Sequence, residues 1–225
     1  MASKTSVLIT GAGQGIGLEI AKQLASRDCT VWLTARDSRR GEKAARELDG
    51  DVRFLTLDVG DQSSIEKAAA QVSKLDVLIN NAAVLLDQET DVLNLPAEVI
   101  RATFDANTVA PLMVAQAFLP QLRQSKHPRI INISSGAGQL SEPSTCAPAY
   151  RFSKAALISI TTTLAAALPG FAVNSVCPGW VRTRMGGNAA PRSVQQGADT
   201  PVWLALDAPQ TLTGEFLRDR EMIPW

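Results

Sequence analysis

The chain contains a single tyrosine, Tyr150, and it stands one helical turn before Lys154 in the stretch AYRFSKAAL. The run from about Pro148 to Leu168 has helical composition, so the two side chains share a face. An ammonium beside a phenol favours the phenolate and is expected to lower its pKa from about 10, giving a proton donor and acceptor usable near neutrality. As a lone pattern, however, Y-x-x-x-K also fits an ordinary surface helix.

Other residues suited to chemistry fall just after short aliphatic runs. These runs are SVLIT (6–10), TVWLT (30–34), VRFLTL (52–57), DVLIN (76–80), RIINIS (129–134) and FAVNSV (171–176), with a further strand expected near GEFLRD (214–219). Segments rich in Ala, Leu, Glu and Lys separate them, including one expected helix over roughly 192–206. Apolar strands alternating with helices predict a Rossmann-type, doubly wound α/β fold: a mostly parallel, seven-stranded sheet with helices on both faces. No repeat or linker interrupts the pattern, so residues 1–225 are read as one domain. Its ligand crevice belongs beyond the carboxyl ends of the strands.

After the first strand, TGAGQGIG places Gly11, Gly13, Gly15 and Gly17 where a tight turn opens a helix. Such a turn lets backbone amides approach a phosphate. The spacing is T-G-x-x-x-G-x-G and departs from strict G-x-G-x-x-G. After the second strand comes Ala35-Arg36, where a guanidinium suits the 2′-phosphate of NADP(H) better than a carboxylate would. Arg39 and Arg40 are possible helpers, while Asp37 keeps NAD(H) open. Asp58 follows the third strand, placed to accept from an adenine amino group or to make a turn. After the fourth, NNAAV (80–84) offers small side chains and amides, with Asn80 and Asn81 equally readable as a turn. The fifth ends in Ser134 and Ser135.

Composition narrows the possible partners. Lys plus Arg and Asp plus Glu both number 22, apolar residues make up 45% and charged residues 20%. A balanced charge argues against nucleic acid or an anionic membrane as a partner. The N-terminal apolar run is too short for a secretory leader or a membrane span, so a cytoplasmic location is expected. Cys29, Cys146 and Cys177 are widely spaced, as expected of reduced thiols. His127, the only histidine, has no ligand cluster around it, and no metal site is expected.

Taken in order, TGAGQGIG, LDV, NNAA, NTVAP, INISS, YRFSK and PGWVRTRM resemble the short-chain dehydrogenase/reductase family in its non-extended branch, over nearly the whole chain. LTARD, GWVRT and RDREMIPW look most like its NADPH-dependent carbonyl reductases. The resemblance implies a catalytic tetrad of Asn107, Ser135, Tyr150 and Lys154. It also implies a cofactor site of Gly11, Gly13, Gln14, Gly15, Ile16, Gly17, Arg36, Asp58, Val59, Asn81, Ala82, Tyr150, Lys154, Pro178, Gly179, Val181 and Thr183. Asn107 has a physical argument of its own. Pro111 lacks an N–H, so in a helix the Asn107 carbonyl loses its usual donor and is free to hold a water.

The expected reaction is NADPH-dependent reduction of an aldehyde, ketone or quinone, with NAD(H) as the alternative cofactor. Rival readings are an alcohol or hydroxysteroid dehydrogenase on the same tetrad and a non-catalytic NADP(H) sensor. A short mobile lid is expected near 178–193, with Trp180, Met185 and Leu140 either lining a compact apolar site or packing in the core. Ala83 replaces a glycine of the family pattern, and Arg184 stands where relatives often carry an acid. A homodimer or tetramer is expected, with a monomer as the alternative.

Overall fold

The structure is a computed structural model and describes residues 4–225. Eight strands form one sheet in the order β3-β2-β1-β4-β5-β6-β7-β8. They are β1 (Ser6–Ile9), β2 (Thr30–Ala35), β3 (Asp51–Thr56), β4 (Val77–Asn80), β5 (Arg129–Ile133), β6 (Ala172–Val176), β7 (Phe216–Arg218) and β8 (Glu221–Met222). The first seven pair in parallel, and β8 alone runs antiparallel, against β7. The seven-stranded expectation is thus short by one. Asp219 and Arg220 both take left-handed φ values (55° and 65°), which fold the chain back on itself as primed hairpin turns do. A two-residue strand made this way leaves no hydrophobic period to read.

Alternation along β1 shows how the sheet is covered. Val7 and Ile9 point into a core shared with Ile20 and Leu24 of α1 (Gly15–Ala25) and with Val202 and Leu204 of α7 (Val194–Leu206). Leu8 points the other way, towards Ile65 of α3 (Gln62–Gln71) and Val114, Phe118 and Leu122 of α5 (Ala110–Leu122). Each face is therefore closed by its own helices, and both faces of the central strands are apolar. Two further helices matter to the site: α2 (Ser38–Arg46), after β2, and α6 (Pro148–Ala167), which carries Tyr150 and Lys154. A shorter α4 (Ala97–Phe104) runs into a π-helical turn, Asp105–Val109, just before α5.

The strand order reverses between β1 and β4, and this is where an open α/β sheet forms its crevice. The glycine-rich turn after β1 and the NNAA segment after β4 meet at that point. Among the described residues, no helix is long and apolar enough to cross a membrane.

Candidate active site

At the crevice, Gly11 and Gly15 adopt φ of 65° and 62°, conformations that suit glycine. A side chain at Gly11 would approach within 2.9 Å of the Ala82 Cα, so β1 and β4 meet here backbone to backbone. Gln14 precedes α1 without giving it a side-chain cap, and no acidic residue stands in the helix's first turn. The leading amides of α1 are thus left for an anion, as a pyrophosphate requires. The turn therefore fits a dinucleotide on its own geometry.

Thr10, not singled out from the sequence, organises the neighbouring segment. Its hydroxyl accepts from the Asn81 and Ala82 amides (2.9 and 3.0 Å), and the Asn81 side-chain amide donates to the Thr10 and Gly11 carbonyls (2.9 and 3.2 Å). Asn81 thus stitches the glycine turn to the end of β4 with its side chain. Replacing Gly17 tests this stitch, because a Cβ there would lie 2.5 Å from Asn81 Nδ2 and 3.0 Å from both the Ala12 Cα and the Gly11 carbonyl. Gly17→Ala is expected to cost about 1–3 kcal/mol through overpacking and to weaken dinucleotide binding. A thermal melt and a cofactor titration that both match wild type would contradict that expectation.

After β2, Arg36 is exposed. Asp37 caps α2, its carboxylate accepting from the Arg40 amide at 3.1 Å. The Arg40 guanidinium in turn donates to Gln14 Oε1 at 3.2 Å, over the glycine turn. Arg40 therefore borders the turn and Arg36 stands exposed just after Ala35, while the nearby carboxylate is engaged in a helix cap. Asp58 takes the turn role: its Oδ1 accepts from the Gly60 amide at 3.0 Å, and Val59 lies between them.

The tetrad candidates converge from different elements. Asn107 lies fully buried in the π-helical turn. Its side chain exchanges two hydrogen bonds with the Val84 backbone (2.8 and 2.9 Å) and donates to Ser153 Oγ at 3.1 Å. With the side chain so committed, only its main chain is available for a role in proton transfer. Thr108 Oγ1 donates to the Ser153 carbonyl (2.9 Å), and Ser153 Oγ donates to the Tyr150 carbonyl (2.8 Å), so this turn grips α6. The two serines after β5 separate clearly. Ser134 is buried and donates to the Lys154 carbonyl at 3.1 Å, whereas Ser135 is partly open near the Tyr150 phenol, its Oγ accepting from the Ala137 amide at 3.1 Å.

The electrostatics differ from the expected arrangement. Lys154 is buried, and its Nζ donates to the Ile133 carbonyl at 2.7 Å. Burial alone drives its pKa down to about 7. Tyr150 is half-buried by surface area, yet it is enclosed enough by protein that desolvation pushes its pKa up to about 12, against the lowering effect of the nearby Ser135 hydroxyl. The ammonium sits 5.6 Å from the centre of the phenol ring. The expected lowering of the Tyr150 pKa is thus not met, because the cost of burying the phenolate outweighs what its neighbours offer.

The loop after β6 closes the site. Cys177 is buried, its Sγ accepting from the Gly136 and Gly179 amides (3.0 and 3.4 Å), which ties this loop to the segment after Ser135. The segment expected as a mobile lid is bonded across its neck: Arg182 N–H donates to the Arg192 carbonyl at 2.9 Å, and the Arg192 amide donates to Trp180 at 3.2 Å. Arg192 also ion-pairs with Asp219. Thr183 approaches the glycine turn, within 3.5 Å of where a Gly15 Cβ would stand. Pro178 and Gly179 are half-buried and Val181 is buried. Leu140, Trp180 and Met185 are 81%, 58% and 37% exposed, which rules out ordinary core packing for them. Arg184 is exposed on the same loop. Ala83 is not among the left-handed non-glycine residues, so its backbone has no need of the glycine it replaces. Among the described residues no cluster could hold a metal ion.

A doubly wound sheet with a glycine turn, a serine, a tyrosine and a lysine gathered at its crevice has the arrangement of an oxidoreductase fold. A family model for short chain dehydrogenases matches residues 5–193, and the chain belongs to that family. It is 32% identical to (+)-neomenthol dehydrogenase of Arabidopsis thaliana, the match covering 88% of this chain and 90% of that protein. Carbonyl reductase [NADPH] 1 of Sus scrofa is 31% identical, with 100% and 96% covered. That alignment runs to 287 positions against 225 residues here, so the pig protein carries segments that this chain lacks. Among solved structures, an NADPH-bound carbonyl reductase from chicken fatty liver superposes with a TM-score of 0.91 at 30% identity, covering 100% of this chain and 96% of that one.

Proposed function

We propose that this oxidoreductase reduces the carbonyl group of a small aldehyde, ketone or quinone with NADPH, at the corner formed by Ser135, Tyr150 and Lys154. The observation that carries the reading is the meeting of Tyr150 and Lys154 beside Ser135, with Lys154 Nζ 5.6 Å from the centre of the phenol ring, next to a glycine turn whose helix has no side-chain cap. Similarity to carbonyl reductases whose names specify NADPH supports it. When bound, NADPH supplies the hydride.

The chain's own residues do the rest. The Ser135 and Tyr150 hydroxyls hold the substrate's carbonyl oxygen, and Tyr150 gives its proton to the alkoxide that develops there. A phenol held up to about 12 keeps its proton at neutral pH and so has it available for donation. Lys154 binds ribose hydroxyls and resupplies the proton, and the main chain of Asn107 links that relay to solvent. Leu140, Trp180 and Met185 present apolar surface to the substrate. A homodimer or tetramer of the chain in the cytoplasm remains our expectation.

For the cofactor, Arg36 and Arg40 would hold the 2′-phosphate. The alternative, NAD(H), would need Asp37 to accept from the ribose, and that carboxylate already caps α2. Arg36→Ala is expected to weaken NADPH by about tenfold or more while changing NADH little, since a lost charged hydrogen bond costs roughly 1.5–3 kcal/mol. Equal losses for the two cofactors would remove Arg36 from the role. The reading as a whole is tested by NADPH consumption with purified protein over a panel of aldehydes, ketones, diketones and quinones, with NADH in parallel. Tight NADPH binding with no turnover across the panel would favour a sensor instead.

A further inference from the structure

The N-terminus of α6 is built unusually for a helix that carries so much chemistry. Ala147, at its cap position, is left-handed (φ 48°) and offers no side-chain acceptor, and Pro148 has no N–H to give. The first free amides are those of Ala149 and Tyr150 itself. Both are directed at one oxygen of Asp87, at 2.5 and 3.4 Å, far away in sequence on the loop between β4 and α4.

Asp87 is 1% exposed, and its other carboxylate oxygen is buried with no partner. Enclosing a carboxylate is costly unless it is compensated, and among the described residues its hydrogen-bond donors are all at this helix end, where the exposed amides and the helix dipole favour negative charge. The other cross-element hydrogen bonds on this part of α6, made with Asn107, Thr108, Ile133, Ser134, Gln139 and Glu142, fall on Arg151, Ser153 and Lys154, after the tyrosine. Asp87 is therefore the fixed point on the near side of Tyr150.

We infer that Asp87 is a positioning residue for Tyr150: its buried carboxylate caps α6 from another loop and fixes where the phenol meets Ser135 and the substrate. This inference rests on the reading of Tyr150 as the proton donor. A shift of about 1 Å in such a group costs on the order of a hundredfold in rate.

The test compares Asp87→Ala and Asp87→Asn with wild type and Tyr150→Phe. Amide hydrogen exchange is measured without cofactor, NADPH affinity by titration, and kcat and KM with an aromatic aldehyde as probe. Asp87→Ala is expected to speed exchange at Ala149 and Tyr150. It should also lower kcat by roughly tenfold to a hundredfold, with NADPH affinity held within about twofold. Asp87→Asn keeps an acceptor oxygen and is expected to recover most of both. Unchanged exchange or unchanged kcat in Asp87→Ala would overturn the inference. So would a loss of NADPH binding equal in both variants, which marks general damage to the fold. If Tyr150→Phe keeps wild-type turnover, the reading of Tyr150 fails and Asp87 loses its role with it. If Tyr150→Phe is inactive while Asp87→Ala runs at full speed, only the assignment of Asp87 fails.

Discussion

Tyr150→Phe is expected to lower kcat for carbonyl reduction by about 10²- to 10⁴-fold, the usual contribution of a positioned general acid. The ring remains, so packing against α6 and its neighbours should survive, and NADPH affinity should stay near wild type. The loss belongs in kcat because the phenol's proton matters most as charge develops on the substrate oxygen. Ser135 alone would still bind that oxygen, so a small residual rate is compatible with the proposal. Rapid-mixing measurements of the first turnover separate this loss from any effect on product release. A first turnover at wild-type speed would remove Tyr150 from the chemistry.

The second large effect concerns Lys154, and it is read in both activity and stability. Lys154→Met should abolish most turnover, since no other amine stands at the corner. Its signature in the cofactor-free protein is a pH dependence whose sign can be worked out. In the folded protein burial lowers the Lys154 pKa to about 7, while in the unfolded chain it returns to about 10.4. Between those values the unfolded state holds a proton that the folded state has lost. Raising the pH through this window therefore favours folding, by at most about 1.4 kcal/mol per pH unit. Below about pH 7 both states carry the proton and the dependence vanishes. Denaturant unfolding of wild type, with Lys154→Met subtracted, should show stability rising from about pH 7 towards pH 10. The subtraction cancels Tyr150, whose raised pKa works in the opposite direction above pH 10. A flat difference curve would mean that the amine keeps its proton in the folded protein.

What could be read from the sequence was local. The aliphatic runs, the glycine turn after β1 and the helix from Pro148 each carry their pattern within a few residues, and all form where expected. The two serines after β5 part in the structure, with Ser134 turned to the Lys154 carbonyl. What could not be read depends on residues distant in sequence. Thr10 reaches Asn81, Asp87 reaches Tyr150, and Asn107 reaches both Val84 and Ser153. A buried polar chain from Asn80 through Asn132 and Thr161 to Ser175 joins β4, β5, α6 and β6 under the site, without any motif to announce it. The direction of the Tyr150 pKa was missed for a related reason. Spacing along a helix brings two side chains together, but burial, which only the folded chain sets, decides which of them keeps its charge.

The central claim is that a carbonyl carbon receives hydride at the Ser135–Tyr150 corner. The most direct test incubates the purified protein with NADPH in which both hydrogens at C4 of the nicotinamide are deuterium, together with an aldehyde, and analyses the alcohol by mass spectrometry. The proposal predicts one deuterium on the carbinol carbon of the wild-type product and almost no product from Tyr150→Phe. Alcohol without deuterium, or equal labelled product from the variant, would contradict it.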